Sequence, residues 1–495
     1  MRGTAALLGI DAGTSGVKVC AFTLDGTLLY KEEEKVSIIS EKPGYAELDV
    51  MQYWSLVRKA ISRVTASQGL DIVGIGLSTT CPTIITMDED FHPVGRGITY
   101  LDNRASDEAA AYLAIFSDQD SYVKEIGNRC SVSTCSSSTI RWIRRNEPDR
   151  WDATAHIGML NSFLAAQLTG SAAIDTTQAS YSGIFRLEHP TDWDDGLLEL
   201  ADIPREKLLP ISQPSRMIGG LKRDVAEELG LRPETPVAIG SGDTAAAAYA
   251  LGLKDPQVAF ESVGTSGVFT FLLQEPRFNP AFMNRCHVIP GLWLSHGASS
   301  MMGGSIDWVK NNILREFNDY AVLDAAVQGA VPGAHGVVFL PYLSGERCPL
   351  WDPEAKAVWY GMSLKTTSLD LLESVFEAGA YSLRQIRENG ESFLQNRIDS
   401  VIAVGNGTKS EHWNQMKADV LSVPYRTTAF RDASAYGAAL MGGVASGIYS
   451  DTADPAIPVL KVDGHVYHPR TTGSREYERG YRTYLQLYPA VKGLT

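Results

Sequence analysis

Apolar positions fall into two rhythms along this chain, short runs and longer helical repeats, and they alternate. Residues 5–10 are apolar and stop at a polar, Gly-rich stretch, after which residues 17–22 resume the apolar run. That is strand, tight turn, strand. Asp25-Gly26 then gives a strong hairpin signal leading into residues 27–30. Met51, Trp54, Val57, Ile61 and Val64 recur near helical spacing and predict a helix over 50–66. Residues 72–78 are apolar and β-branched, as a buried strand is. Residues 236–239 form another, ending in Gly240-Ser241-Gly242. Helices are predicted over 244–251, 368–389 and 410–421. Alternating strands and helices place the chain in the α/β class.

One motif occurs twice. Gly13-Thr14-Ser15-Gly16-Val17 returns unchanged as Gly264-Thr265-Ser266-Gly267-Val268, half a chain later, each copy flanked by apolar strand-like runs. A strand–turn–strand unit repeated at that distance predicts two similar domains. The 495 residues also exceed what one hydrophobic core usually serves. The boundary is placed near 245–255, dividing the chain into 1–248 and 249–495, with no flexible linker between them.

Composition narrows the function classes. A net charge of −14 with interspersed signs argues against nucleic-acid binding. It does not exclude a nucleotide, because backbone N–H groups can hold phosphates against the global field. No apolar run is long enough to span a bilayer, and no signal-peptide pattern opens the chain, so a cytoplasmic protein is expected. The six cysteines contain no Cys-x-x-Cys pair and the nine histidines no H-E-x-x-H, which removes zinc sites and a disulfide framework from consideration.

Three Gly-rich turns carry the candidate chemistry. Residues 11–18, Asp-Ala-Gly-Thr-Ser-Gly-Val-Lys, combine glycines that admit phosphate oxygens to backbone N–H groups, hydroxyls on Thr14 and Ser15, charge on Lys18, and a carboxylate, Asp11, suited to a metal. It is not a Walker A loop, and an unliganded hairpin fits the same residues. In the second turn Gly242-Asp243 opens an Ala-rich helix. Asp243 fits a helix cap. It also fits a general base, since a carboxylate beside a substrate hydroxyl can take its proton. The third, Gly405-Asn406-Gly407-Thr408-Lys409-Ser410, again opens a helix and can admit a flat base or ribose, or be a plain strand-to-helix turn.

Together these segments resemble the FGGY family of carbohydrate kinases, most closely its xylulokinase-like members. Residues 11–18 resemble the first phosphate motif and 264–267 the second. Residues 405–413, with Gln415 and Asp419, resemble the adenosine motif, and Gly242-Asp243 the catalytic-base segment. Residues 341–347 and Gly361-Met362 with Asp370, Leu371 and Ser374 fit further signatures. The matches keep family order and span nearly the whole chain. The resemblance implies two actin-like, ribonuclease H-like domains around a deep cleft. Sugar would lie on the first domain and adenosine on the second, with ATP as donor. Magnesium would be held mainly by phosphates and water near Asp11 and Asp243. Asp243 is implied as base. Gly13, Thr14, Ser15, Lys18, Gly264, Thr265, Ser266, Gly405, Gly407 and Thr408 are implied as ATP contacts. A homodimer is usual for such kinases.

The sugar side departs from the pattern. Where xylulokinases resemble one another in Gln-Met-His-Gly, this chain has Thr80-Cys81-Pro82-Thr83, so Pro82 stands in place of a His donor. Leu101-Asp102-Asn103-Arg104 is similar to the family's sugar-binding Asp segment, and Asp102 is expected to accept from two hydroxyls. Thr80, Cys81, Asp102 and Asp243 are the expected substrate contacts. D-xylulose or another pentulose leads as substrate. Another ketose, a polyol or an aldonate is the alternative within the class, and an actin-like switch ATPase the alternative outside it.

Overall fold

The computed structural model describes residues 3–494 apart from 68, 318, 429, 461 and 463. Their contacts group into two compact units. The first takes the chain up to Gly252 with Leu273–Leu294 and Asp432–Leu460. The second takes Leu253–Leu272, Ser295–Arg431 and the chain beyond Leu460.

In the first unit the strand Thr4–Ala12 is the hub of a mixed sheet. It pairs antiparallel with Gly16–Thr23, which pairs antiparallel with Leu28–Lys35. On its other side it runs parallel to Leu70–Thr79. Register decides what meets. Asp11 lies opposite Lys18 on one side and Ser78 on the other, and Ser241 and Gly242 pair with Ser78 and Thr79. Three strand ends, at residues 11–12, 78–79 and 241–242, therefore finish side by side. Ligands of open α/β sheets gather beyond such carboxyl ends.

The helix Ala433–Ala445 belongs to this unit although it lies far down the sequence. It approaches so closely that a Cβ on Gly9 or Gly76 would sit 1.8 or 1.9 Å from its carbonyl oxygens. The Ala-rich helix Asp243–Ala250 crosses it equally tightly: a Cβ on Gly437 would lie 2.0 Å from the Ala246 oxygen. Small residues on both helices are thus a packing requirement.

The helix Val50–Thr65 starts at Asp49, whose side chain accepts from Gln52 N, and buries Tyr53, Trp54, Val57, Ile61 and Val64. Met51, counted in the apolar pattern, is 48% exposed, and Tyr53 takes its place on the buried face.

The second unit repeats the scheme. Val258–Val263 pairs antiparallel with Gly267–Leu273 and parallel with Ser400–Val404, which continues to Tyr425–Thr427. The long helix Ser368–Leu394 runs past its expected end at 389, and Glu411–Leu421 follows a Ser410 cap. Among the described residues no helix is long and apolar enough to cross a membrane.

Candidate functional site

The first unit gathers charge where its three strands end. Asp11 accepts from Ser78 Oγ at 2.9 Å. Burial pushes its carboxyl up to about 6; Asp243 pushes it the same way, while Lys18 and the Ser78 hydroxyl pull it back. Lys18 Nζ lies 3.8 Å from Asp432, which also binds Lys31 at 2.7 Å. The loop between the strands is closed by Gly13 N donating to Gly16 O at 2.9 Å and braced by Tyr53, whose hydroxyl donates to the Gly13 carbonyl at 2.8 Å. Ser15 is exposed at its tip.

Asp243 is the first residue of its helix; the cap is Gly242, which offers no side chain. The capping role that the sequence allows for Asp243 is therefore not the one it fills. Its Oδ1 accepts from Thr244 N at 2.6 Å and from Thr244 Oγ1 at 3.2 Å. Oδ2 has no protein partner among the described residues. Gly242 is pinned from behind, its N–H donating to Thr177 Oγ1 at 2.9 Å. Thr177 is bound in turn by Asp175, which caps the turn Thr176–Ala179 and also accepts from Asn161. Gln178 donates to Thr79 Oγ1 at 2.7 Å. Sequence reading passed over Tyr53, Thr177 and Gln178. Asp175 ahead of a short polar stretch is a cap signal, but nothing in its spacing ties it to residue 242.

Of the expected sugar contacts, Thr80 is buried and its hydroxyl shares a hydrogen bond of 2.9 Å with Thr14, joining it to the first loop. Cys81 is half-buried and precedes a cis Pro82. Asp102 differs from expectation. It is 3% exposed; Oδ1 accepts from Arg104 N and Nε, and Oδ2 from Ala46 N and Arg104 Nη2. These four protein donors fill the positions reserved above for two sugar hydroxyls. Arg104 is itself held over the Tyr45 ring, 3.7 Å from its centroid. The segment Met283–Cys286 adds a residue the sequence did not single out, Arg285. It lies against Gly242 and Cys81, with its guanidinium carbon 4.3 Å from the Tyr181 ring centroid.

The second unit holds a cavity of about 450 Å³ lined by Gly264, Thr265, Tyr320, Phe376, Gly407 and Trp413, among others. The second loop is closed one residue tighter than the first, Gly264 N donating to Ser266 O at 2.9 Å. The start of helix Gly303–Asn312 buttresses it, Met302 N and Gly304 N both donating to Thr265 O at 2.9 Å. Of the third turn, Gly407 faces the cavity with Asn406, Lys409 and Ser410. Gly405 and Thr408 brace it, Thr408 Oγ1 donating to the Gly405 carbonyl at 2.8 Å. Both glycines have a steric cause: a Cβ at 405 would lie 2.3 Å from the Val263 oxygen, and one at 407 lies 2.2 Å from Val263 Cγ1. Below the turn, Lys417 and Glu261 form a fully buried ion pair at 2.7 Å, with Lys417 Nζ 4.0 Å from the Trp413 ring centroid. Aromatic walls and a Gly-rich turn suit a nucleotide.

Comparison with known proteins places both halves of the chain in one family. The model of the FGGY family of carbohydrate kinases, N-terminal domain, matches residues 6–250, and that of the C-terminal domain matches 259–446. A xylulose kinase of Escherichia coli (strain K12) is 29% identical, covering 85% of this chain and 86% of its own. A probable L-xylulose kinase of Haemophilus influenzae is 28% identical, with 98% and 99% covered. The crystal structure of a "xyloylose" kinase from Brucella ovis superposes with a TM-score of 0.91 at 26% identity, covering 99% of this chain and all of that one.

Proposed function

The chain belongs to the FGGY family of carbohydrate kinases, with its two-domain actin-like, ribonuclease H-like fold and ATP as phosphate donor, and we propose that it phosphorylates a pentulose such as D-xylulose, in the cytoplasm, with magnesium and with Asp243 as base. The observation that carries this reading is Asp243 Oδ2. It is a free carboxylate oxygen on a residue whose other oxygen is fixed by Thr244 and whose backbone is pinned through Gly242 and Thr177. A sugar hydroxyl placed there loses its proton to Oδ2 as its oxygen attacks the γ-phosphorus in line, and ADP leaves. The backbone N–H groups and hydroxyls of the first Gly-Thr-Ser-Gly loop, with Lys18, stabilise the charge on the transferring group.

Asp11 and Asp243 fit a divalent ion. They are close enough that Asp243 helps push the Asp11 carboxyl up to about 6, a repulsion that a cation between them would relieve. Among the described residues no cluster of three or more His, Cys, Asp or Glu ligands exists. That suits magnesium, which keeps water and phosphate oxygens as ligands. When bound it neutralises phosphate charge.

Other ketoses, polyols and aldonates remain a second reading, favoured by Pro82, which offers no donor where a His would, and by the occupied carboxylate of Asp102. The test is ADP release with and without a panel of such compounds. A kinase is strongly stimulated by its acceptor. A rate indifferent to every member would mark a switch ATPase instead.

A further inference from the structure

Arg285 is 4% exposed, yet its Nη1 has no hydrogen-bond partner among the described residues, and it forms no ion pair there. A guanidinium carries five donors and cannot shed its charge. Leaving one of its nitrogens dry and unbonded costs about 1–3 kcal/mol or more. The residue is nevertheless held firmly. Nε donates to the Tyr181 hydroxyl at 3.1 Å, the guanidinium stacks on that ring, and the next residue, Cys286, donates its N–H to Ser180 Oγ at 3.0 Å. Its position is specific. A Cβ on Gly242 would sit 2.6 Å from Nη1 and 3.3 Å from Cys81 Cβ, so only a glycine next to the proposed base leaves room for the guanidinium. Burial, which disfavours the cation, is opposed by Tyr181, Cys81 and Asp243. A fixed, buried donor with an unused nitrogen beside the proposed base and a half-buried Cys81 has the form of a ligand-reading group.

We propose that Arg285 reads the acceptor substrate, and that the substrate presents to it an sp² oxygen, a ketose carbonyl or a sugar-acid carboxylate, rather than only hydroxyls. This rests on the kinase reading above. The chemistry follows from what surrounds Nη1. Arginine only donates, so its partner must accept. An sp² oxygen offers two lone pairs and brings no hydrogen. A hydroxyl in the same place brings a hydrogen that needs an acceptor of its own: the Tyr181 oxygen already accepts from Nε, and the free oxygen of Asp243 is taken, in the kinase reading, by the attacking hydroxyl. The polyol therefore leaves a polar hydrogen unpaired where the ketose does not, and sites of this kind discriminate strongly.

The experiment compares kcat/KM for matched series of four to six carbons, each with a ketose, an aldonate and the corresponding polyol, such as D-xylulose, D-xylonate and xylitol. It uses wild type, Arg285→Leu and Arg285→Lys, with thermal unfolding of each. The wild-type protein is expected to favour its best ketose or aldonate over the matched polyol by ~10²-fold or more. Arg285→Leu is expected to bring that ratio within about tenfold by losing only the oxo substrate, and Arg285→Lys to keep part of it. Whether ketose or aldonate leads tells which oxygen is read. Wild type turning over the polyol as well as its oxo partner overturns the proposal without need of any variant. So does an Arg285→Leu protein that loses all three substrates equally. If no compound stimulates ADP release, the kinase reading itself falls, and this inference with it.

Discussion

The two Gly-Thr-Ser-Gly loops share a sequence and differ in register and in charge: Ala12 pairs with Val17 across the first, Val263 with Gly267 across the second. Each joins two antiparallel strands, the first of which runs parallel to a third strand, and each is closed by an N–H to carbonyl bond of 2.9 Å across its ends. The flanks differ. Where the first copy has Asp11 and Lys18, the second has Ser262 and Phe269. Phe269 is fully buried and packs edge-on against Phe271, whereas Lys18 is half-buried and faces Asp432. Supports differ too. The first loop is held by side chains, Tyr53 on the Gly13 carbonyl and Thr80 on the Thr14 hydroxyl, in addition to Val36 N on the Ser15 carbonyl; the second is held by the backbone N–H groups of residues 302 and 304. Of the two copies, only the first carries a carboxylate and a cation on its flanks, the charges that the proposed reaction and metal site call for.

This asymmetry predicts where damage will be chemical and where it will concern affinity alone. The largest effect belongs to the charged side: Asp243→Asn should cut turnover by ~10² to 10⁴-fold and leave ATP affinity almost unchanged. Steady-state rates together with calorimetric titration of ATP check it. Retained turnover would reduce Asp243 to a helix-start residue. On the neutral side, Gly407→Val should raise the KM for ATP with little change for the sugar. The added side chain meets Val263 and, 3.2 Å from its Cβ, Trp413. Overpacking of this sort costs about 1–3 kcal/mol, or roughly 5- to 150-fold if all of it falls on the nucleotide cavity. An equal loss for both ligands would show that the turn supports the whole second unit.

Much of this was legible in the sequence, and each miss has a physical cause. The repeat, the Gly-rich turns and the order of the motifs are local features, so pattern reading found both loops, the Ala-rich helix that Asp243 opens and the third turn. Asp102 was misjudged because its saturation depends on Arg104 Nη2 and Ala46 N, and nothing in the local string says that a neighbouring guanidinium folds back over it. Arg285 was missed for the opposite reason: its meaning lies in an absence of partners, and its neighbours, Tyr181, Cys81 and Gly242, lie far off in sequence. Gly405 and Gly407 were recognised, but their purpose was read as ligand approach alone. The space beside both is taken by Val263, so close strand packing is also at work.

A smaller effect should follow pH on the charged side only. With its carboxyl held up to about 6, Asp11 binds a proton that would compete with magnesium at the proposed site. Ionisation is complete above that value, so the magnesium requirement should be flat from pH 7 to 8. It should rise about tenfold by pH 5, where protonated Asp11 outnumbers the ionised form about tenfold. Without metal the sign reverses for stability. A carboxyl raised in the folded state favours folding at low pH, and that contribution is lost as pH rises through about 6. Magnesium titrations of activity across pH, with Asp11→Asn alongside, decide the matter. A dependence that survives in Asp11→Asn belongs to another group.

The finest test sets the two loop threonines against each other. Thr14 and Thr265 occupy the same place in the repeat, and truncating either removes one hydroxyl. They are not equivalent in the protein. The Thr14 hydroxyl is half of a 2.9 Å bond to Thr80, which is 2% exposed, so Thr14→Ala strands a buried hydroxyl. That should cost about 1–3 kcal/mol of stability. The Thr265 hydroxyl is exposed and has no partner among the described residues, so Thr265→Ala should stay within about 0.5 kcal/mol of wild type. Denaturant unfolding of both variants without ligand measures the difference directly. If the second loop exists to bind the donor, Thr265→Ala should lose its effect in the free protein and show it only as a raised KM for ATP. Equal destabilisation by the two substitutions would mean that the loops are supported alike, and the contrast drawn between side-chain and backbone bracing would not hold.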